Sequence, residues 1–127
     1  MKPTKRVALV LPGAIKTMKP MIVITTVAQT YDAREIAEEI ISRRLAACVN
    51  IFPEVYSVYR WENKVDHDNE QILLIKTLDE RIDELRDFIM RRHPYEVPEF
   101  VVIDIASIEG PYRDWLIDAA KIMERDN

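Results

Sequence analysis

The stretch from Cys48 to Thr77 constrains this chain of 127 residues more than any other. Residues 45–65 read LAACVNIFPEVYSVYRWENKV, and ILLIKT follows at 72–77. β-Branched and aromatic residues run from about 47 to 61, break at Glu62-Asn63-Lys64 and resume over about 64–77. That is the pattern of two strands joined by a tight turn, and Asn63 accepts the left-handed backbone such turns require. Fifteen extended residues at ~3.3 Å each would span ~50 Å. A compact domain of this length is only ~35 Å across, from a radius of gyration of ~14 Å. The hairpin therefore outreaches its own domain, even if Pro53 bends or bulges the first strand. Its side chains agree: Val49, Ile51, Val55, Tyr59 and Trp61 fall on one alternation, and Phe52, Tyr56 and Val58 on the other. A strand that is apolar on both faces and open at its edge needs another chain to cover it. The sequence predicts a stable homo-oligomer.

The flanking segments supply the rest of one domain. MIVITTV (21–27) is a short buried strand. A helix is predicted over 32–45, capped by Thr30 or Asp32, with Ile36, Ala37, Ile40, Ile41 and Leu45 on one face. A second helix is predicted over 79–92, capped by Asp79, with Ile82, Leu85, Phe88 and Ile89 inward, and Pro94 stops it. Phe100 to Ala106 reads as a strand, and Pro111 opens a last helix carrying Trp115, Leu116, Ala119, Ile122 and Met123 on one face. The order is β-α-β-β-α-β plus a C-terminal helix: an α+β, ferredoxin-like split β-α-β sandwich with a long extended hairpin. The domain is expected over 21–127. Residues 1–20 read as an N-terminal extension or a misassigned start, with Met18 and Met21 as alternative starts.

Several function classes are excluded. Gly13 and Gly110 are the only glycines, so no glycine-rich phosphate loop can be drawn. A single cysteine forms no internal disulfide, and the expected compartment is the reducing cytoplasm. Residues 1–20 carry five Lys/Arg and no acid, which leaves 13 basic against 22 acidic residues in the body. An acidic body argues against nucleic acid as a partner. The apolar run before Pro12 is too short to span a membrane.

LAACVNIFPEVYSVYRWENKV, then Glu70, IKT (75–77), HPYEVPE (93–99) and YRDWL (112–116), resembles the CutA, or divalent-cation tolerance, family. The resemblance runs from Met21 to about Ala120. It implies a homotrimer of ferredoxin-like subunits, architecturally related to PII-type signalling proteins, with extended hairpins around a three-fold axis. Departures are Asn63, where members commonly carry glycine, and Thr25 and Arg92, at positions that in some bacterial members are associated with copper.

The candidate chemistry leaves alternatives open. Cys48 is either an inert core thiol or a soft ligand for Cu(I); a nucleophile would need a base such as His93, and no motif supports one. His93 is either a helix C-terminal cap or a metal ligand. His67, in DHDNE, offers weak mixed coordination or belongs to a solvated acidic loop. Tyr59, Trp61, Glu70, Lys76 and Glu99 are, by the resemblance, recurring positions around an intersubunit cleft. They form either a ligand site with perturbed acidities or an ion-pair network fixing the interface. Tyr112 and Trp115 read as packing of the last helix. The expected function is a non-enzymatic homotrimer that takes part in divalent-cation (copper) tolerance and binds metal ions weakly, without an organic cofactor. The alternative is a PII-like sensor or scaffold that holds a small anionic ligand in the cleft.

Overall fold

A computed structural model describes residues 18–123. Four strands and three helices follow in the order β1 (Pro20–Ala28), α1 (Ala33–Ser42), β2 (Cys48–Trp61), β3 (Lys64–Leu78), α2 (Ile82–Arg92), β4 (Val101–Asp104) and α3 (Gly110–Ala120). The sheet is ordered β2-β3-β1-β4, with every neighbouring pair antiparallel. The expected α+β, ferredoxin-like element order holds.

Alternation decides which face of the sheet is covered. Val23 and Val27 on β1, with Leu73 and Ile75 on β3, share one face and pack against Ile36 and Ile40 of α1 and Leu85, Phe88 and Ile89 of α2. α3 builds a smaller second cluster, in which Leu116 and Ala120 pack with Leu78, joined by Met18 and Ala47. α1 begins as its sequence dictates: the Asp32 carboxylate accepts a hydrogen bond from the Glu35 amide at 3.1 Å. It ends earlier than predicted, because Arg43 caps it and Arg44 turns left-handed (φ 59°). The Leu45 amide then reaches back to the Ile40 carbonyl at 3.0 Å.

Two further expectations need correcting. Asp79 does not cap α2; it opens a short 3-10 turn, Asp79–Arg81, and its carboxylate accepts from the Lys19 amide at 2.9 Å. The Asp79 amide in turn donates to the Lys19 carbonyl at 2.8 Å, so this carboxylate fastens the start of β1 instead of a helix. β4 covers only Val101–Asp104, not 100–106, and all four of its residues are exposed.

The hairpin is as long as its composition demands. β2 has 14 residues and β3 has 15. The connection is the two residues Glu62 and Asn63, both left-handed at φ 49° and 64°, as in the turn that matches the twist of paired strands. β1 ends at Ala28, opposite Glu70, so residues 56–69 form a two-stranded ribbon beyond the sheet. On this ribbon and on β4, Tyr56, Val58, Val65, Val101, Val102 and Ile103 are exposed, Val65 to 73%.

Pro53 marks a bulge with a consequence for side-chain direction. Phe52 faces Ile72 and Val55 faces Glu70, so two residues of β2 stand against one of β3. The Gln29 side-chain amide donates to the Pro53 carbonyl at 3.0 Å and ties the bulge to the end of β1. The extra residue reverses the alternation. Val49 and Ile51 pair with the buried Ile75 and Leu73, whereas Val55, Tyr59 and Trp61 lie on the opposite face with Glu70. The single alternation read from the sequence is thus split between the two faces.

Met18 and Lys19, placed in the extension by the sequence reading, are engaged with the domain; residues 1–17 lie outside the described residues. A chain starting at Met21 should be less stable than one starting at Met18 by about 1–3 kcal/mol, from two hydrogen bonds at roughly 0.5–1.5 kcal/mol each. Equal denaturant midpoints for the two chains would refute this role of the Lys19–Asp79 pair.

Candidate functional site

Where the ribbon leaves the sheet, it meets the segment after α2. A cavity of about 700 Å³ opens there between the two. Period-two spacing places Asp66, Asp68 and Glu70 of β3 on one face, and the bulge sets Ser57, Tyr59 and Trp61 of β2 on that same face. Tyr95, Glu96 and Glu99, from the HPYEVPE segment, form the opposite wall.

Three attachments hold that wall. The His93 ring bridges the Thr26 carbonyl, 2.7 Å from Nε2, and the Tyr95 amide, 3.1 Å from Nδ1. A carbonyl only accepts and an amide only donates, so Nε2 carries the proton and Nδ1 is bare: the ring is neutral. Burial pushes its pKa below the usual histidine range, against smaller opposing effects of the Thr26 bond and the Glu70 charge. His93 does lie at the end of α2, where its amide donates to the Ile89 carbonyl, but as a neutral ring and not as the cation a helix terminus favours. The Tyr95 hydroxyl donates to Glu70 Oε2 at 2.7 Å, and the buried Thr25 hydroxyl donates to the Glu99 carbonyl at 2.7 Å.

The electrostatics are one-sided. Asp66, Asp68, Glu70, Glu96 and Glu99 line the cavity, and among the described residues no Lys, Arg or His does. Among the described residues none of these five carboxylates makes an ion pair. The acidities respond. Burial, then the Glu70 charge, raises the Glu99 pKa above the ordinary carboxylate value. The Tyr59 hydroxyl donates to Asp68, which, with lesser contributions from burial and neighbouring acids, pushes its pKa up to about 12. Burial and the bond to Glu70 raise Tyr95 as well.

Of the residues singled out from sequence, the structure brings together Tyr59, Trp61, Glu70 and Glu99. Lys76 stands apart, six residues or ~20 Å along β3 from Glu70. Its ammonium donates to the Tyr112 hydroxyl at 3.3 Å and lies 5.5 Å from that ring's centroid, beside the start of α3. Tyr112 also stacks on Trp115, but both rings are exposed; α3 is packed by Leu116 and Ala120 and not, as expected from sequence, by Tyr112 and Trp115. Cys48 is half-buried directly opposite Lys76, with Asn50 Oδ1 3.7 Å from its sulfur. Lys76 pairs with Ile22, four residues or ~13 Å along β1 from the Thr26 carbonyl that holds His93. Cys48 and His93 are therefore not neighbours within a subunit.

Asp66, Asp68 and Tyr95 were missed as site residues. The sequence leaves DHDNE between weak mixed coordination and a solvated acidic loop, within a segment itself expected to be a strand; it lies in β3, where strand alternation alone would have aligned Asp66 and Asp68 with Glu70. His67, on the other face, stacks against Tyr56 with centroids 5.3 Å apart.

Comparison with known proteins agrees with this architecture. "Divalent-cation tolerance protein CutA" of Thermus thermophilus is 43% identical over 95 residues, 75% of this chain and 92% of that protein. "Protein CutA, chloroplastic" of Arabidopsis thaliana is 36% identical over 106 residues, which are 84% of this chain but only 58% of the longer plant protein. The crystal structure of CutA1 from Oryza sativa matches with a TM-score of 0.76 at 38% identity, covering 84% of this chain and 98% of that one. The model for "CutA1 divalent ion tolerance protein" matches residues 21–119, and the chain belongs to that family.

Proposed function

We propose that the chain is one subunit of a homotrimeric, non-enzymatic cation-binding protein that takes part in divalent-cation tolerance through the acidic cavity beside its hairpin. The observation that carries this reading is the set of five cavity-lining carboxylates without a basic partner among the described residues. Such a site attracts cations and repels anions. The alternative of a small anionic ligand finds no support in this lining, and Lys76, its one expected cation, sits elsewhere in the subunit. Oxygen-donor sites follow the usual order of divalent metal affinity, with Cu(II) above its neighbours, so a copper preference needs no thiolate. A Cys48–His93 pair would have to draw its two residues from different subunits, and both His93 nitrogens already serve the cavity wall. A reducing, cytoplasmic setting suits the single free thiol, while no described helix is long and apolar enough to cross a membrane.

The trimer rests on the exposed apolar ribbon and the open, apolar edge of β4. Tyr56→Glu, outside the cavity, should lower the mass measured by analytical ultracentrifugation at micromolar concentration while leaving the circular dichroism of the subunit intact. An unchanged mass at every dilution would refute an assembly built on the ribbon.

Cu(II) titrated against a competing chelator should bind about tenfold more weakly to Glu70→Gln/Glu99→Gln, a loss of about 1.4 kcal/mol. Cys48→Ser should leave it unchanged. The reverse pattern would move the site to Cys48.

The raised Glu99 acidity fixes a sign. The native state holds this proton more tightly than the unfolded chain, so stability falls as pH rises from about the ordinary value of 4.5 through the folded-state pKa. Glu99→Gln should therefore raise the melting temperature near neutral pH, and the difference should vanish below pH 4.5. A variant less stable than the parent at neutral pH would show that Glu99 is held by an attractive partner.

A further inference from the structure

Glu70 is the least ordinary member of the cavity. It is only 8% exposed, one of its oxygens takes the Tyr95 hydroxyl, and the other has no hydrogen-bond partner among the described residues. Its open oxygen belongs to a nearly buried side chain that lines the cavity, so water competes little with a cation that reaches it. The surrounding geometry constrains which cation could do so.

A bare metal ion takes several donors in one tight shell, at roughly 2.0–2.6 Å. Among the described residues no three His, Cys, Asp or Glu side chains converge in that way, so a metal ion is held here only weakly, by the summed charge of the cavity. The carboxylates are instead strung out: Asp66, Asp68 and Glu70 occupy successive same-face positions of β3, ~6.6 Å apart. Glu99 stands on the facing wall. This spacing matches positive charges separated by three or four methylene groups. The cavity's ~700 Å³ falls in the range of about 300–1,000 Å³ typical of organic ligand sites. Its apolar surface also suits such a chain. Tyr59, Trp61 and Tyr95 line it, and the two tyrosines spend their hydroxyl protons on Asp68 and Glu70. Their rings remain to cover methylene groups and to attract ammonium charge.

We infer that the cavity takes a linear organic polyammonium ion, with the ammonium groups on Asp66, Asp68, Glu70 and Glu99 and the methylene chain against Tyr59 and Trp61. This deepens the cation-site reading and rests on it. The site is then selective for charge spacing and apolar length, two properties that a metal ion lacks.

The test is calorimetric titration of the assembled full-length protein with spermidine, with Cu(II) titrated in parallel. Spermidine should bind once per subunit. Glu70→Gln/Glu99→Gln should weaken it at least tenfold, and Trp61→Leu, which keeps bulk but removes the aromatic face, should weaken it several-fold. Glu62→Gln/Glu109→Gln, outside the cavity, should leave it unchanged, and every variant is checked for native mass and circular dichroism. Equal weakening by the two double variants would mean attraction to net charge only and would overturn the inference. So would spermidine binding that ignores Glu70 while Cu(II) binding depends on it, an outcome that leaves the cation site standing. Independence of both ligands from Glu70 and Glu99 would overturn the site itself.

Discussion

A hairpin of this length cannot be buried along its whole course by so small a domain, and the rest of the molecule is arranged around where its burial stops. From Leu73 to Leu78, β3 is flanked by β1 throughout and by β2 as far as Lys76, and it supplies three fully buried apolar side chains, Leu73, Ile75 and Leu78. From Lys64 to Asn69 it has only β2 beside it, and every residue is exposed. Glu70 sits at the boundary, opposite the last residue of β1. Packing and solvent compete most sharply at such a boundary, and there a carboxylate can be buried while still facing a cavity.

The two ends of the sheet are specialised in opposite senses. At the start of β1 the polar groups are matched: Lys19 with Asp79 and Asp104, and Lys76 with Tyr112. The C-terminal end of α3 is likewise held, with Arg81 donating to the Ala120 carbonyl at 2.7 Å and Glu80 accepting from the Ile122 amide at 2.7 Å. These contacts close the fold. At the other end, acids outnumber available cations and the tyrosines serve as neutral donors to carboxylates. An end whose charges are matched within the subunit has nothing left to bind, whereas an unmatched end holds electrostatic attraction in reserve for a ligand.

Much of this was legible in the sequence because local chemistry decided it. Asp32 caps α1, the Glu62-Asn63 turn closes the hairpin, and Pro53 marks a bulge, each for reasons contained within a few residues. Legibility failed where distant residues decide. Asp79 reads as a helix cap until Lys19 arrives from 60 positions away to claim it. Lys76 and Glu70 look like a pair in the sequence, but the extension of β3 holds them at opposite ends of the sheet. Tyr95 was in plain view within HPYEVPE, and only the fold of that segment across β1 and β3 shows its hydroxyl meeting Glu70. The side of the sheet chosen by Tyr59 and Trp61 was misread for a subtler reason: a count of alternating positions is valid only while the count is unbroken.

That broken count also says which changes in length β2 tolerates. Two residues, Pro53 and Glu54, stand where β3 has only Gln71, so removing one of them would give a regular ladder and leave Val55 and Tyr59 opposite Glu70 and Asp66. What the shorter strand would lose is the local bend and the Pro53 carbonyl that Gln29 holds at the end of β1. Removing a residue on either side of the bulge instead, within a regular stretch of the ladder, would carry every side chain beyond it to the other face. The bulge is thus the one place in the strand where its length can change without exchanging its two surfaces.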